Sequence, residues 1–305
     1  MRIVFLGTPD FAVPTLKALV ESKHEVLAVV TQPDKKRDRN VISFSPVKEE
    51  ALKHNLEVLQ YEKIKVEGIE DLKRLNPDVM VTCAYGQIIS QEILDIPKFG
   101  VINVHASLLP KYRGSSPIQW AIINGESQTG ITIMKTALGV DSGDIILQKK
   151  IDIKENETAG ELFDRLSQIG PEALLEALDL IEQGKAVFTP QDESKATHVS
   201  MLKKEDGHID WSKKAIEIKN QVYGMNPWPS AFSYFNKKLF KIWTCDIEPM
   251  KLDYPNGYMF IKDKKVFVKC SDGAIELKEV QIEGKKRMTS QAFILGNEIE
   301  GVILE

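Results

Sequence analysis

The sequence predicts an α/β protein of two domains, in which a parallel-rich sheet with helices on both faces precedes a smaller all-β domain. Short apolar runs alternate with segments of helical spacing through the first part of the chain. At 305 residues the chain is longer than one domain usually is. Beyond Gly184 a polar stretch around Pro190 is followed by short strands at close intervals, which suggests a small barrel or sandwich. The expected domains are 1–188 and 206–305, joined by a linker at 189–205.

The elements of the first domain follow from buried apolar runs and helical periods. An apolar run at 3–6 stops at Gly7, and helical spacing begins at Phe11, which is typical of a strand, a tight turn and a helix. Further strands are predicted at 25–31, 78–83, 99–104, 130–136 and 144–153, and further helices at 47–54 and 159–184. In the second domain the predicted elements are a helix at 214–222 and strands at 232–234, 239–244, 265–269 and 274–280.

Composition excludes several classes of protein. The chain is 43% hydrophobic and 28% charged, as ordinary globular proteins are, and its net charge of -4 does not by itself indicate nucleic-acid binding. Its three cysteines, Cys83, Cys245 and Cys270, are far apart and form no CxxC pair, so neither disulfides nor a metal site is expected. The first apolar run is too short for a signal peptide, and no segment is long enough to span a bilayer. We therefore expect a cytoplasmic protein without a membrane partner.

Three polar residues stand where a buried strand is expected to end. Asn103 and His105 follow the apolar run at 99–102 and, being two residues apart, point to the same face of an extended strand. Asp141 lies between Gly139 and Gly143, whose freedom allows the loop to bring its carboxylate close to a substrate. An amide, an imidazole and a carboxylate together can orient an amine, accept its proton and stabilise an oxyanion, the three tasks of acyl transfer to nitrogen. The alternatives are a structural histidine and a simple Asp-Gly turn.

Two neighbouring segments bear on the ligand. Leu108, Leu109 and Pro110 form a stiff apolar tripeptide, suited to the wall of a site for a flat ligand. The turn after the first strand, Gly7-Thr8-Pro9, has one glycine and a proline where a dinucleotide fingerprint needs several glycines. NAD is therefore not expected as a cofactor.

The segment 34–48 is basic. It carries a net charge of +3, because two acidic residues, Asp34 and Asp38, stand against Lys35, Lys36, Arg37, Arg39 and Lys48. Such a loop is either solvated surface or a mobile segment that grips phosphates beside the site.

These residues resemble the formyltransferases that use 10-formyltetrahydrofolate, and among them those that act on an aminoacyl-tRNA. The resemblance spans the chain and rests on 5–11 (FLGTPDF), 31–34 (TQPD), 45–48 (SPVK), 103–114 (NVHASLLPKYRG), 141–144 (DSGD), 207–211 (GHIDW) and 226–229 (NPWP). It implies a Rossmann-like catalytic domain and an OB-like C-terminal domain that helps to hold tRNA. The implied reaction is transfer of a formyl group from 10-formyltetrahydrofolate to the free amino group of methionyl initiator tRNA, without metal or NAD, by a protein expected to be a monomer.

The resemblance also assigns roles to individual residues. Asn103, His105 and Asp141 match the catalytic trio of the family. The residues that match or flank its tetrahydrofolate site are Ser107, Leu108, Leu109, Pro110, Tyr85, Gly86 and Gln87. The residues that match its tRNA-binding loop are Lys35, Lys36, Arg37, Arg39 and Lys48.

Four other functions are weighed against this one. A formyltransferase acting on a UDP-amino-sugar shares the length and the two-domain plan, but the basic loop favours tRNA. Glycinamide ribonucleotide formyltransferase is typically one domain with a glycine-rich phosphate loop, which Gly7-Thr8-Pro9 does not reproduce. A nicotinamide oxidoreductase fits the fold but lacks the fingerprint. A non-catalytic tRNA-binding module gives no reason for the polar trio.

Overall fold

The computed structural model of the protein describes residues 1–36 and 42–305, which form two compact units. The first unit comprises Met1–Gly114, Thr129–Ile151 and Phe163–Val199; the second comprises Ser115–Gln128, Asp152–Leu162 and Ser200–Glu305. The units therefore follow packing rather than the order of the chain, whereas the predicted domains were continuous. Residues 189–199, predicted as linker, lie in the first unit, and 115–128 and 152–162 lie in the second.

The first unit is built on a parallel-rich sheet, as predicted. Its strands and the short strands near them are β1 (Arg2–Gly7), β2 (Glu25–Thr31), β3 (Lys35–Lys36), β4 (Ile42–Ser43), β5 (Glu57–Gln60), β6 (Val79–Cys83), β7 (Val101–His105), β8 (Arg113–Gly114), β9 (Gln128–Lys135), β10 (Ile145–Asp152) and β11 (His198–Val199). Within the described residues the main sheet has the order β10-β9-β7-β6-β1-β2-β5. The five strands from β7 to β5 run parallel, and β9 is antiparallel to β7.

The strand order explains why helices cover both faces. The chain moves outward from β1 in one direction through β2 and β5, and in the other through β6 and β7. Because crossovers between parallel strands are right-handed, the two directions place their helices on opposite faces. Ile3, Val4, Phe5 and Leu6 of β1 are fully buried, as a strand covered on both faces requires.

Two of the helices have a clear sequence signal at one end. They are α1 (Val13–Glu21), α2 (Pro46–Lys53), α3 (Ile64–Glu67), α4 (Ile69–Leu75), α5 (Gln91–Leu94), α6 (Pro117–Ile123), α7 (Ala159–Glu182), α8 (Ala215–Gly224) and α9 (Ser290–Ile294). Ser45 caps α2 by accepting a hydrogen bond from the Lys48 N–H, and Gly184 follows α7 with a positive φ of 66°. No helix of the described residues is both long and apolar enough to cross a membrane.

The second unit has the antiparallel sheet expected of a small barrel-type domain. Its strands are β12 (Ala231–Phe235), β13 (Lys238–Glu248), β14 (Met259–Lys262), β15 (Lys265–Cys270), β16 (Gly273–Ile282) and β17 (Met288–Thr289), in the order β12-β13-β16-β15-β14 with β17 beside β16. Helix α6 packs against α8, where a Cβ on Gly224 would lie 2.5 Å from Ile123. That close approach explains why a segment from the middle of the chain belongs to this unit.

Candidate active site

Strand β7 and the loop after β9 bring the polar trio together. Asn103 and His105 lie on the same face of β7, at its carboxyl end, and the loop between β9 and β10 carries Asp141 to them. The Asn103 Nδ2 lies 3.5 Å from one Asp141 carboxylate oxygen, and the His105 Nδ1 lies 3.6 Å from the other. His105 is 7% exposed. The predicted meeting of an amide, an imidazole and a carboxylate is therefore present in the structure.

Fixed neighbours orient the first two of these side chains. The Thr82 hydroxyl donates to the Asn103 Oδ1 at 2.9 Å, so the amide nitrogen is the group that faces Asp141. The His105 Nε2 lies 2.9 Å from the Tyr112 carbonyl oxygen. A carbonyl only accepts, so Nε2 carries a hydrogen and Nδ1 is the nitrogen directed at the carboxylate.

Asp141 is held in an uncommon backbone conformation. Its φ of 47° lies in the left-handed region, so the strain falls on the aspartate and not on a flanking glycine. The Gly114 N–H donates to its carboxylate at 2.8 Å. Gly143 is needed for close approach, because a Cβ there would overlap the Lys135 carbonyl oxygen. Asp144 stands immediately before β10, in the position expected for a residue that starts the strand.

Thr132 fixes the apolar wall that follows β7. Its buried hydroxyl donates to the Ser107 carbonyl at 2.6 Å and accepts from the Leu109 N–H at 3.1 Å. The Gln148 amide donates to the same hydroxyl at 2.8 Å and to the Leu109 carbonyl at 2.9 Å. Sequence reasoning missed Thr132 and Gln148, because a polar residue inside a strand carries no local signal of a partner in a loop elsewhere in the chain.

Replacing Thr132 by valine is expected to destabilise the protein by about 1–3 kcal/mol, because the buried Ser107 carbonyl and Leu109 N–H lose their bonds to the hydroxyl, as does the Gln148 amide. The matched control is Thr136→Val, since the buried Thr136 hydroxyl has no hydrogen-bond partner among the described residues. Denaturant unfolding should separate the two variants; equal stability would contradict the role given to the Thr132 hydroxyl.

The loop after β6 lies at the same edge of the sheet. Between β1 and β6 the strand order reverses, and a crevice forms at such a point in an open α/β sheet. The Tyr85 carbonyl accepts hydrogen bonds from the Thr8 hydroxyl at 3.3 Å and from the Gln32 amide at 3.1 Å. Gly86 has a φ of 84°, and the Gln87 amide donates to the Tyr61 carbonyl at 2.8 Å. Burial raises the pKa of the Tyr85 phenol, whose oxygen has no hydrogen-bond partner in the described part of the chain.

The basic segment is described only in part. Lys35–Lys36 pairs in antiparallel fashion with Ile42–Ser43, while Arg37 and Arg39 lie outside the described residues. Lys48, on α2, is bound at the base of the segment: its ammonium donates to Asp34 and, at 2.8 Å, to Gln60. Burial alone would raise the pKa of the Asp34 carboxyl, but the hydrogen bonds from Lys48 and Gln60 bring it below its ordinary value.

Sequence reasoning also missed a buried arginine and its partners. Arg113 is 3% exposed and pairs with the Glu193 carboxylate at 2.7 and 2.9 Å. This hydrogen bonding raises the pKa of Arg113 and lowers the pKa of Glu193. Gln191, two residues before Glu193, contacts both Arg113 and the Asp141 loop. Local sequence carried little indication of these contacts, since 189–195 is polar, contains a proline and has no helical or strand periodicity.

Among the described residues, no group of three or more His, Cys, Asp or Glu side chains is arranged to hold a metal ion.

Comparison with known proteins places these features in a wider group. The family described as "Formyl transferase" matches residues 1–178, and "Formyl transferase, C-terminal domain" matches residues 201–298. The chain is 48% identical over 303 residues to the methionyl-tRNA formyltransferase of Agathobacter rectalis, covering 98% of each chain. It is 46% identical over 309 residues to that of Caldanaerobacter subterraneus subsp. tengcongensis, covering 100% of each.

Solved structures support the fold. The N-formyltransferase from Helicobacter canadensis, in complex with folinic acid and dTDP-3-aminofucose, has a TM-score of 0.70 at 22% identity and covers 90% of this chain and 98% of its own. HypX from Aquifex aeolicus, in complex with tetrahydrofolic acid, has a TM-score of 0.62 at 20% identity and covers 97% of this chain and 47% of its own. At these identities the likeness shows the fold alone.

Proposed function

This chain belongs to the formyl transferase family, and we propose that it transfers a formyl group from 10-formyltetrahydrofolate to the free amino group of methionyl initiator tRNA. The observation that carries the proposal is the convergence of Asn103, His105 and Asp141 at the carboxyl edge of the parallel sheet. The full-length relatives, at 46% and 48% identity, support the choice of acceptor.

The chemistry asks three things of the protein. The amine nitrogen attacks the formyl carbon, and a proton leaves the nitrogen as the new carbon–nitrogen bond forms. The Asp141 carboxylate receives that proton, directly or through water, and the bond from the formyl carbon to the ten-nitrogen of the folate then breaks as this nitrogen takes up a proton. Formylated methionyl-tRNA and tetrahydrofolate are the products.

Asn103 and His105 stabilise the negative charge on the formyl oxygen. The Asn103 amide nitrogen has two hydrogens, and only one can point at Asp141, so the other is available to the oxyanion. A well-placed donor of this kind contributes about 3 kcal/mol to the transition state. His105 Nε2 already donates to the Tyr112 carbonyl, so His105 donates to the oxyanion through Nδ1 when the imidazole is protonated, and Nδ1 faces the same space.

The cosubstrate binds along the loops that follow β6 and β7. The wall at Ser107–Pro110, held by Thr132 and Gln148, takes one side of the pterin. Tyr85, Gly86 and Gln87 flank it from the crevice between β1 and β6. Backbone polar groups of the two segments would fix the orientation of a flat ligand.

The acceptor is a large anion, and the proposal assigns two regions to it. The basic side chains Lys35, Lys36, Arg37, Arg39 and Lys48 make the segment attractive to tRNA phosphates, with Lys48 held at its base by Asp34 and Gln60, and the C-terminal domain at 206–305 assists binding. The catalytic domain at 1–188 and the linker at 189–205 complete the proposed organisation. A cytoplasmic location and a monomeric state belong to the same proposal.

The test is one assay with matched acceptors. The protein is mixed with 10-formyltetrahydrofolate and either methionyl initiator tRNA, methionyl elongator tRNA or a UDP-amino-sugar, and each formylated product is quantified by mass spectrometry. We expect formylmethionine on initiator tRNA at a rate at least about tenfold above the other acceptors. Formylation of the sugar instead, or of none of the three, would refute the proposed acceptor.

A further inference from the structure

The segment from Thr189 to Thr197 is anchored at both ends to loops that build the site. Thr189 exchanges two backbone hydrogen bonds with Ile145, at 2.8 and 2.9 Å, just after the Asp141 loop. Thr197 accepts at its carbonyl from the Arg113 N–H at 2.9 Å, and its hydroxyl accepts from the Tyr112 N–H at 2.8 Å. The segment therefore connects the loop that carries Asp141 with the loop that positions His105.

Gln191, between these anchors, uses its whole amide. Its nitrogen donates to the Asp141 carbonyl at 2.8 Å and to the Gly143 carbonyl at 2.7 Å. Its oxygen accepts from two Arg113 nitrogens, at 3.0 and 2.9 Å. The assignment is unambiguous, because a guanidinium only donates and the two carbonyls only accept.

Arg113 keeps the glutamine in that orientation. Arg113 is 3% exposed, and its guanidinium donates two further hydrogen bonds to the Glu193 carboxylate, at 2.9 and 2.7 Å. A buried guanidinium that is bonded to Gln191 and Glu193 cannot rotate without losing these charge-assisted hydrogen bonds. Rotation of the Gln191 amide would in turn set its NH₂ against the guanidinium.

The restraint matters because Asp141 is strained. A non-glycine residue with a φ of 47° persists only where its surroundings hold it there, at a cost of about 1–3 kcal/mol. Gln191 binds the backbone of this loop, while Gly114 binds the Asp141 carboxylate at 2.8 Å. Loss of the backbone restraint would let the carboxylate move away from His105 and Asn103.

We propose that Gln191 is a positioning residue for the transfer reaction. It holds Asp141 in its left-handed backbone conformation and is itself oriented by Arg113. The inference rests on the proposed function, since it assigns Gln191 an effect that is exerted through Asp141. Gln191 touches no reacting atom in this scheme.

The experiment is a double-mutant cycle of Gln191→Met and Asp141→Asn, measured as single-turnover and steady-state formylation. Methionine keeps the length of glutamine but donates and accepts no comparable hydrogen bond. We expect Gln191→Met to lower kcat by about 10–100-fold, with KM for tRNA and for folate within about 2-fold of the wild type. In the Asp141→Asn background the same change should cost less than about 3-fold, because the group that it positions is already lost.

Equal losses in the two backgrounds would overturn the inference, because a merely structural residue lowers both rates alike. An unchanged kcat in Gln191→Met would also overturn it. Gln183→Met, at an exposed glutamine after α7, is the matched control and should behave as the wild type. If Gln191→Met does not fold, Gln191→Glu supplies a second variant that still accepts from Arg113 but cannot donate to the two carbonyls.

A readout that needs no turnover separates this inference from the proposed function. Hydrogen exchange followed by mass spectrometry should show faster exchange at 136–144 in Gln191→Met and unchanged exchange in β1 and β6. If the wild type formylates none of the acceptors, the proposed function fails although the exchange result can stand. If exchange at 136–144 does not change, the inference fails although the wild type formylates initiator tRNA.

Discussion

Asp141→Asn is expected to lower kcat by about 10²–10⁴-fold while the protein remains folded. Asparagine matches the size of aspartate and can still accept from the Gly114 N–H, which now lies 2.8 Å from the carboxylate. It cannot take up the proton that the attacking amine loses. Because the oxygen bound by Gly114 is also the one nearest His105, its NH₂ group faces the Asn103 amide nitrogen, and two donors then stand against each other. Single-turnover formylation with saturating cosubstrate measures the effect on the chemical step.

Asp144→Asn is the matched control, because it makes the same change three residues later, immediately before β10. Its activity should stay within about 2-fold of the wild type. A large loss of activity in Asp144→Asn together with a small loss in Asp141→Asn would show that Asp144, and not Asp141, accepts the proton.

Gly114→Ala is expected to destabilise the protein by about 2–5 kcal/mol and to abolish most of its activity. The φ of Gly114 is 103°, and an added Cβ would overlap the Val199 carbonyl oxygen of the neighbouring strand β11. The backbone must shift to relieve the overlap, and the Gly114 N–H then moves away from the Asp141 carboxylate. Denaturant unfolding and formylation assays measure the two effects.

Gly184→Ala separates the effect of backbone strain from the effect of steric overlap. Gly184 also has a positive φ, of 66°, but a Cβ there would have no atom within 4 Å among the described residues. This variant should lose about 1 kcal/mol of stability and keep its activity. If Gly114→Ala were no worse than Gly184→Ala, the close packing of β8 against β11 would not be what holds Asp141.

Much of the fold could be predicted from local sequence. The apolar run at β2 was predicted at its observed bounds, 25–31, and β1, β6 and β7 were predicted to within about two residues of theirs. Strand β5 was missed, because it is short, lies at the edge of the sheet and has partly exposed side chains without alternation. Local sequence could not show which segments pack into one compact unit, because 115–128 packs with α8, far along the chain.

The candidate site, too, could be predicted from local sequence only in part. The spacing of Asn103 and His105 was enough to place both on one face of a strand, since side chains alternate along β structure. The restraint on Asp141 was not predictable: Gly114 and Gln191 reach it from 27 and 50 residues away along the chain. Neither residue carries a local signal, because an ordinary glycine after an arginine and a glutamine in a polar stretch have many other uses.

The sequence alone determined the kinds of chemical group that this protein can bring to a reaction. It also determined that two of them, the side chains of Asn103 and His105, stand at the end of one strand. Residue type and period are local properties, so they can be read without knowing the packing. Only the tertiary structure decided where Asp141 points, because its conformation depends on hydrogen bonds from segments that are distant along the chain. The positions of the catalytic groups are therefore a property of long-range packing, whereas their identities are a property of the chain.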